Sequence, residues 1–124
     1  MKKFNRNLGA KGEQIAAEFL EGKGYRISKR NFFTKFGEID LICIKDSLLI
    51  FVEVKLKVGE DFGSPEEMIN PQKIKQVERI AGLFLLKNPE IKAKFLSYRL
   101  DAVCIVLGPA GEILRLNHYE NLGF

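Results

Sequence analysis

Apolar residues recur in this chain with two rhythms, and the rhythm assigns the elements. Over residues 7–23, Leu8, Ile15, Ala16, Phe19 and Leu20 return at helical spacing, which predicts an amphipathic helix. Gly24 then supplies a stop signal. Three strand-like runs follow, over 25–33, 37–44 and 48–56, with Asp46-Ser47 as the polar break between the last two. Residues 57–63 have no period and are expected to form a mobile loop. Ser64-Pro65-Glu66-Glu67 has the form of a helix start, with serine as cap and Glu67 closing a capping box. Asn70-Pro71 repeats that form ahead of a longer helix to about Lys87, whose core stripe is Ile74, Val77, Ala81 and Phe84. A strand over 98–107, a turn at Gly108-Pro109-Ala110-Gly111 and a short strand over 112–117 follow, while 118–124 carry no pattern. The order is αβββαββ, an α/β class, and 124 residues suit one domain spanning 1–124.

The second and third strands isolate a charged group. A hairpin with a two-residue turn at Asp46-Ser47 sets Lys45 opposite Leu48, Asp40 opposite Glu53 and Glu38 opposite Lys55. Alternation then puts those four charged residues on one face, with facing Cβ atoms about 4.5–5.5 Å apart. The other face is wholly apolar: Ile39, Leu41, Cys43, Ile50, Val52 and Val54. The charged face continues as Ile42, Ile44, Leu49 and Phe51, so the sheet is covered on both sides. Two carboxylates placed so closely resist joint ionisation unless a cation compensates. Magnesium, with few protein oxygens and several retained waters, fits that need. Asp40, Glu53 and the Val54 backbone carbonyl are the candidate metal ligands. Such an ion lowers the pKa of bound water and steadies a pentavalent phosphate. Lys55 points to the same side, to orient the water or neutralise developing charge. A three-residue turn would shift the ladder by one and remove the facing pair. Glu-x-Lys occurs three times, at Glu21, Glu53 and Glu90, and only the middle copy lies on an apolar strand opposite an aspartate. The other reading of the same spacing is a cross-strand ion-pair cluster of Lys55 with Glu38 and Glu53.

Composition adds bounds. Apolar residues make up 46 %, enough for a core without staples. Lysine and arginine exceed the acids by 20 to 16, a net charge of +4 that suits a polyanion partner without requiring one. Cys43 and Cys104 each sit in an apolar run, which predicts buried free thiols rather than a disulfide, and no Cys/His cluster suggests zinc. Met1-Lys2-Lys3 precedes no apolar stretch and the longest apolar run, 48–52, is too short for a bilayer. No membrane segment and a cytoplasmic location are therefore expected. Lys73, Lys75, Gln76 and Arg79 lie outside the core stripe of the second long helix, as a solvated face or as phosphate contacts. Glu13, at the edge of the first apolar stripe, reads as an exposed acid favoured by the helix dipole. The loop over 57–63 either closes over a substrate, with Phe62 as anchor and Gly63 as hinge, or merely connects. Asp101 is expected to pair with a cation at the sheet end, and His118, the single histidine, to be structural.

Taken together, "GAKGEQIAAEFLEGKGYRI", "RNFFTKFGEIDLI", "LLIFVEVK", "FGSPEEMINPQKIKQV" and "RLDAVCIV" resemble the YraN-like uncharacterised protein family, from about Leu8 to the C-terminal "HYENLGF". That family resembles archaeal Holliday junction resolvases of the PD-(D/E)xK nuclease superfamily. The resemblance implies a restriction-endonuclease-like core, a mixed sheet with helices on both sides. It matches Asp40 to the motif aspartate and Glu53 and Lys55 to the (D/E)xK pair. It also matches Glu13 to a first-helix glutamate near the metal, and Glu38 to the glutamate of "GEID". Where "VEVKTR" is expected the chain has "VEVKLK", and Lys57 keeps the positive charge. The implied function is a magnesium- or manganese-dependent endonuclease for structured or branched DNA, working as a homodimer. Asp40, Glu53, Lys55, Glu13 and Glu38 would form the catalytic group, and Lys57, Lys73, Gln76 and Arg79 would contact the nucleic acid. A non-catalytic nucleic-acid-binding adaptor and a protein-interaction module remain open beside it.

Overall fold

The computed structural model describes residues 2–123, with side chains from residue 7 onward. Helix α1 (Lys2–Gly22) leads into strands β1 (Arg26–Thr34), β2 (Gly37–Lys45) and β3 (Leu48–Val58). A 3-10 turn (Pro65–Met68), helix α2 (Pro71–Lys87) and a short α3 (Pro89–Lys94) follow, then β4 (Ser97–Leu107) and β5 (Ile113–Tyr119). The five strands form one mixed sheet in the order β1-β2-β3-β4-β5. Only β3 and β4 run parallel, and such a pair needs a crossover, which the 3-10 turn and the two helices supply.

Strand parity divides the core into two layers. Ile50, Val52 and Val54 of β3, with Val103, Ile105 and Leu107 of β4, pack beneath Ala16, Ala17 and Leu20 of α1. Leu49 and Phe51, with Leu100, pack on the other face against Val77, Ile80, Ala81 and Phe84 of α2. A sheet covered on both faces needs apolar side chains at successive positions, which is why β2, β3 and β4 read as near-continuous apolar runs. The mixed sheet flanked by helices is the restriction-endonuclease-like α/β arrangement. Cys43 and Cys104 are buried and free, and burial pushes both thiols up to about 12.

Several expectations change. Strand β3 runs to Val58, so Lys57 is strand rather than loop. The shorter connection is tied at its start, by Gly59 N–H to the Leu107 carbonyl and by Glu60 to Arg115 of β5 at 3.1 Å. The segment opened by Ser64 is a single 3-10 turn, and the serine side chain caps nothing. Asn70 does cap α2, its side chain accepting from the Lys73 N–H at 2.8 Å. Helix α3 was not foreseen, although Asn88-Pro89-Glu90 repeats the start pattern. Strand β5 extends two residues past 117, because His118 and Tyr119 pair with Val103 and Ala102.

The largest departure lies at Asp40. Parity put Ile39 with Leu41, but Ile39 packs in the α2 layer and Leu41 in the α1 layer. The neighbouring strand turns over at the same level. Arg30 of β1 pairs with Leu41 and reaches Gln14 of α1, whereas Phe32 pairs with Ile39 and packs toward α2. Between them Asn31 takes φ 54°, a left-handed conformation that asparagine tolerates better than most residues. Both strands therefore rotate at the Asn31–Asp40 level.

Candidate functional site

The β2–β3 ladder has the expected register from Lys45↔Leu48 to Leu41↔Val52 and ends there. Asp40 does not pair with Glu53 across it, nor Glu38 with Lys55, because the rotation at Asp40 opens the strands. The Asp40 carboxylate turns toward β3 and accepts the Val54 N–H at 2.8 Å, replacing a backbone ladder bond.

The opening gathers four carboxyl groups. Asp40 and Glu53 are 7 % and 3 % exposed, and their carboxyls lie close enough to act on each other. Glu13 comes down from α1 close enough to Asp40 and the Asn31 side chain for both to act on its carboxyl. It is thus part of the cluster rather than an exposed helix acid. Glu38 lies close enough for repulsion from Glu53. Burial, then Glu53, then Glu13 hold the Asp40 carboxyl far above the usual carboxylate range. Burial, then the Glu38 charge, raise Glu13 against an opposing bond from Asn31. Burial and Glu53 raise Glu38. The shared cause is loss of water without enough positive charge in return.

Among the described residues one cation touches the cluster directly, and it is not Lys55. Lys73 Nζ of α2 stands 3.0 Å from Glu53 Oε2. The contact is outside hydrogen-bond alignment, so Glu53 Oε2 is buried without a hydrogen bond, and Glu38 Oε2 is a second buried oxygen that lacks one. Lys55 makes no ion pair among the described residues, which removes the alternative reading of the spacing as a Lys55–Glu38–Glu53 ion-pair cluster. Lys55 lines a cleft of about 610 Å³ with Lys73, Lys75, Gln76, Arg79 and Phe36. The basic cleft therefore adjoins the acidic cluster.

Residues proposed for nucleic-acid contact divide. Lys73 lines the cleft while bound to Glu53. Gln76 and Arg79 line it but also hold the β1–β2 turn. Gln76 Nε2 donates to the Phe36 carbonyl at 2.7 Å, and the Arg79 guanidinium lies 3.9 Å from the Phe36 ring centroid. A Cβ at Gly37, where φ is +131°, would stand 2.7 Å from Gln76 Nε2, so the turn needs glycine there. Lys57 is outside the cleft lining.

A second polar cluster lies on the α1 face. Arg99 grips the fully buried Asp101 with two bonds of 2.8 Å, and the Asn121 N–H adds a third at 3.1 Å. Lys23 Nζ lies 3.0 Å from His118 Nδ1, and an ammonium only donates, so Nδ1 accepts. His118 Nε2–H therefore donates to Asp101 Oδ2 at 2.8 Å. Asp101 thus pairs with a cation and His118 is structural, as the sequence suggested, and together they hold the chain end.

The fold and site define a class: a small restriction-endonuclease-like α/β protein whose central hairpin opens onto buried carboxyl groups beside a basic cleft. Residues 12–105 match the family described as "Uncharacterised protein family UPF0102", and the chain belongs to it. This is the family its YraN-like motifs indicated. The chain is 42 % identical over 118 residues to a UPF0102 protein of Syntrophomonas wolfei, covering 95 % of this chain and 98 % of that one. It is 38 % identical over 117 residues to a UPF0102 protein of Dictyoglomus turgidum, covering 94 % and 97 %. Glu13, Glu38, Asp40, Glu53, Lys55 and Lys73 all fall inside the matched span.

Proposed function

We propose that this protein is a magnesium- or manganese-dependent endonuclease that cleaves phosphodiester bonds in structured or branched DNA. The observation that carries this reading is the pair of buried carboxyls, Asp40 and Glu53, at the rim of a lysine-lined cleft that includes Lys55. The cluster crowds carboxyl groups whose joint ionisation a divalent ion would support, and two of its buried oxygens have no hydrogen bond. Among the described residues no three His, Cys, Asp or Glu side chains are arranged as a ready-made metal cage. The donor set is instead two carboxylates and the Val54 carbonyl, which suits a hard ion that keeps most of its waters. When bound, that ion supplies Lewis-acid stabilisation of phosphate charge.

The chain's own groups supply the rest. Lys55 offsets negative charge on the phosphate and orients the attacking water. Glu13 holds Asp40 in place from α1, and Glu38 tethers Lys55 electrostatically. Lys75 and Arg79 position the phosphodiester backbone. A homodimer would present two such sites to two strands.

A second reading has support from one contact. Lys73 already offsets part of the Glu53 charge, which favours a domain that binds DNA without cutting it. Incubation of end-labelled four-way junction and linear duplex with manganese or magnesium separates the two. The nuclease reading expects junction cleavage that falls at least about 100-fold in Glu53→Gln and Lys55→Ala. Salt-sensitive binding with no cleavage in any variant would favour the binder.

A further inference from the structure

We infer that Lys73 is the resident counter-ion of the carboxyl cluster, an internal cation that a divalent metal must displace from Glu53 and that is then released toward bound phosphate. The inference rests on the metal-site reading above.

Three observations carry it. Lys73 is the one cation in direct contact with the cluster among the described residues, at 3.0 Å from a Glu53 oxygen that has no hydrogen bond. A metal bound to Glu53 and an ammonium on the same carboxylate repel each other at that separation. The lysine also has somewhere to go. Its backbone is fixed by the Asn70 cap, but its side chain is 26 % exposed and lines the basic cleft. A four-carbon stem with free rotors can move its charge from Glu53 into the cleft without moving α2. The ion pair then acts as a latch. Without metal, Lys73 offsets Glu53 and the site is closed to a second cation. With metal, the same charge joins Lys75 and Arg79 facing the phosphodiester.

Calorimetric titration of manganese into wild type, Lys73→Gln, Lys73→Arg and Lys75→Met tests this. Lys73→Gln removes the competing charge while keeping a donor for Glu53, and should bind manganese about tenfold more tightly than wild type. Lys73→Arg should stay near wild type. Lys75→Met, which removes a cleft charge not in contact with Glu53, should change affinity less than about twofold. Equal or weaker affinity in Lys73→Gln would overturn the latch while leaving the metal site standing. Absence of manganese binding in wild type and Lys73→Gln alike would overturn both. Should Lys73→Gln fail to fold, reductive methylation of wild type read lysine by lysine by mass spectrometry decides the question. The latch predicts slow modification of Lys73 relative to Lys75, rising to a similar rate when manganese is added. An unchanged Lys73 rate with manganese bound would overturn it.

Discussion

Asp40 loses water, faces Glu53 and Glu13, and gains one backbone N–H from Val54. The unfolded chain ionises this carboxyl near pH 4, while the folded chain holds on to its proton. The folded state therefore binds more protons, and this group's contribution to stability declines as pH rises above about 4 toward the raised folded value. Asparagine keeps the acceptor for Val54 and adds a donor for Glu53. Asp40→Asn should thus raise the metal-free melting temperature by about 5 °C at pH 8, and the gain should vanish near pH 4. Melts in chelator at both pH values check this, and a lower melting temperature at both would contradict it. Asp101 has the opposite sign. Burial alone would raise its carboxyl, but hydrogen bonds from His118, Arg99 and Asn121 outweigh burial and lower it. Its contribution is present above the unfolded value and is lost as pH falls through the lowered folded value. Asp101→Asn should lose about 3 kcal/mol in urea unfolding at pH 7, because Arg99 keeps only the more exposed Glu120, at 3.3 Å, as a charge partner. Metal binding should be unaffected. At this scale the motif residues were legible in the sequence, since a charged stretch on an apolar hairpin stands out. Lys73 as the partner of Glu53 was not, because nothing local links a helix lysine to a strand 20 residues earlier. Asn31 was missed for a similar reason: its left-handed turn matters only through what it does to Asp40.

Strands β2, β3 and β4 and the helix stripes were readable because burial on both faces of the sheet imposes continuous apolar runs. Two features were not. The rotation at Asp40 breaks the parity on which a register argument depends. The connection after β3 has no period of its own, so it read as mobile, yet Arg115 pins it from β5. That guanidinium meets Glu60 at 3.1 Å and Glu66 at 2.6 Å, partners 55 and 49 residues away. Bonding from Arg115 brings the Glu66 carboxyl down to about 2. The clamp should order the segment between β3 and α2 more than it stabilises the protein. Arg115→Gln is expected to leave the melting temperature within about 2 °C of wild type. It should speed amide exchange over residues 59–66 by roughly tenfold. Exchange mass spectrometry checks both halves, and unchanged exchange would remove the clamp from the account.

The parallel β3–β4 pair sends the chain over one face of the sheet, so α2 lies opposite α1 and both reach the open end of the β2–β3 hairpin. Glu13 arrives there from one helix and Lys73 from the other. The site is therefore a product of the whole topology: its strand half was legible in the residue pattern, Glu13 only through the family resemblance, and the contact of Lys73 with Glu53 not at all. A net charge of +4 gives the molecule a general attraction for polyanions, and the cleft concentrates that charge beside the carboxyls. Titration of magnesium and manganese into wild type, Asp40→Asn and Glu53→Gln by calorimetry, without and with a four-way DNA junction, tests the metal centre at its source. The account predicts a divalent ion bound by wild type and lost from both variants. Failure of wild type to bind either ion even with junction present, or undiminished binding in both variants, would contradict it.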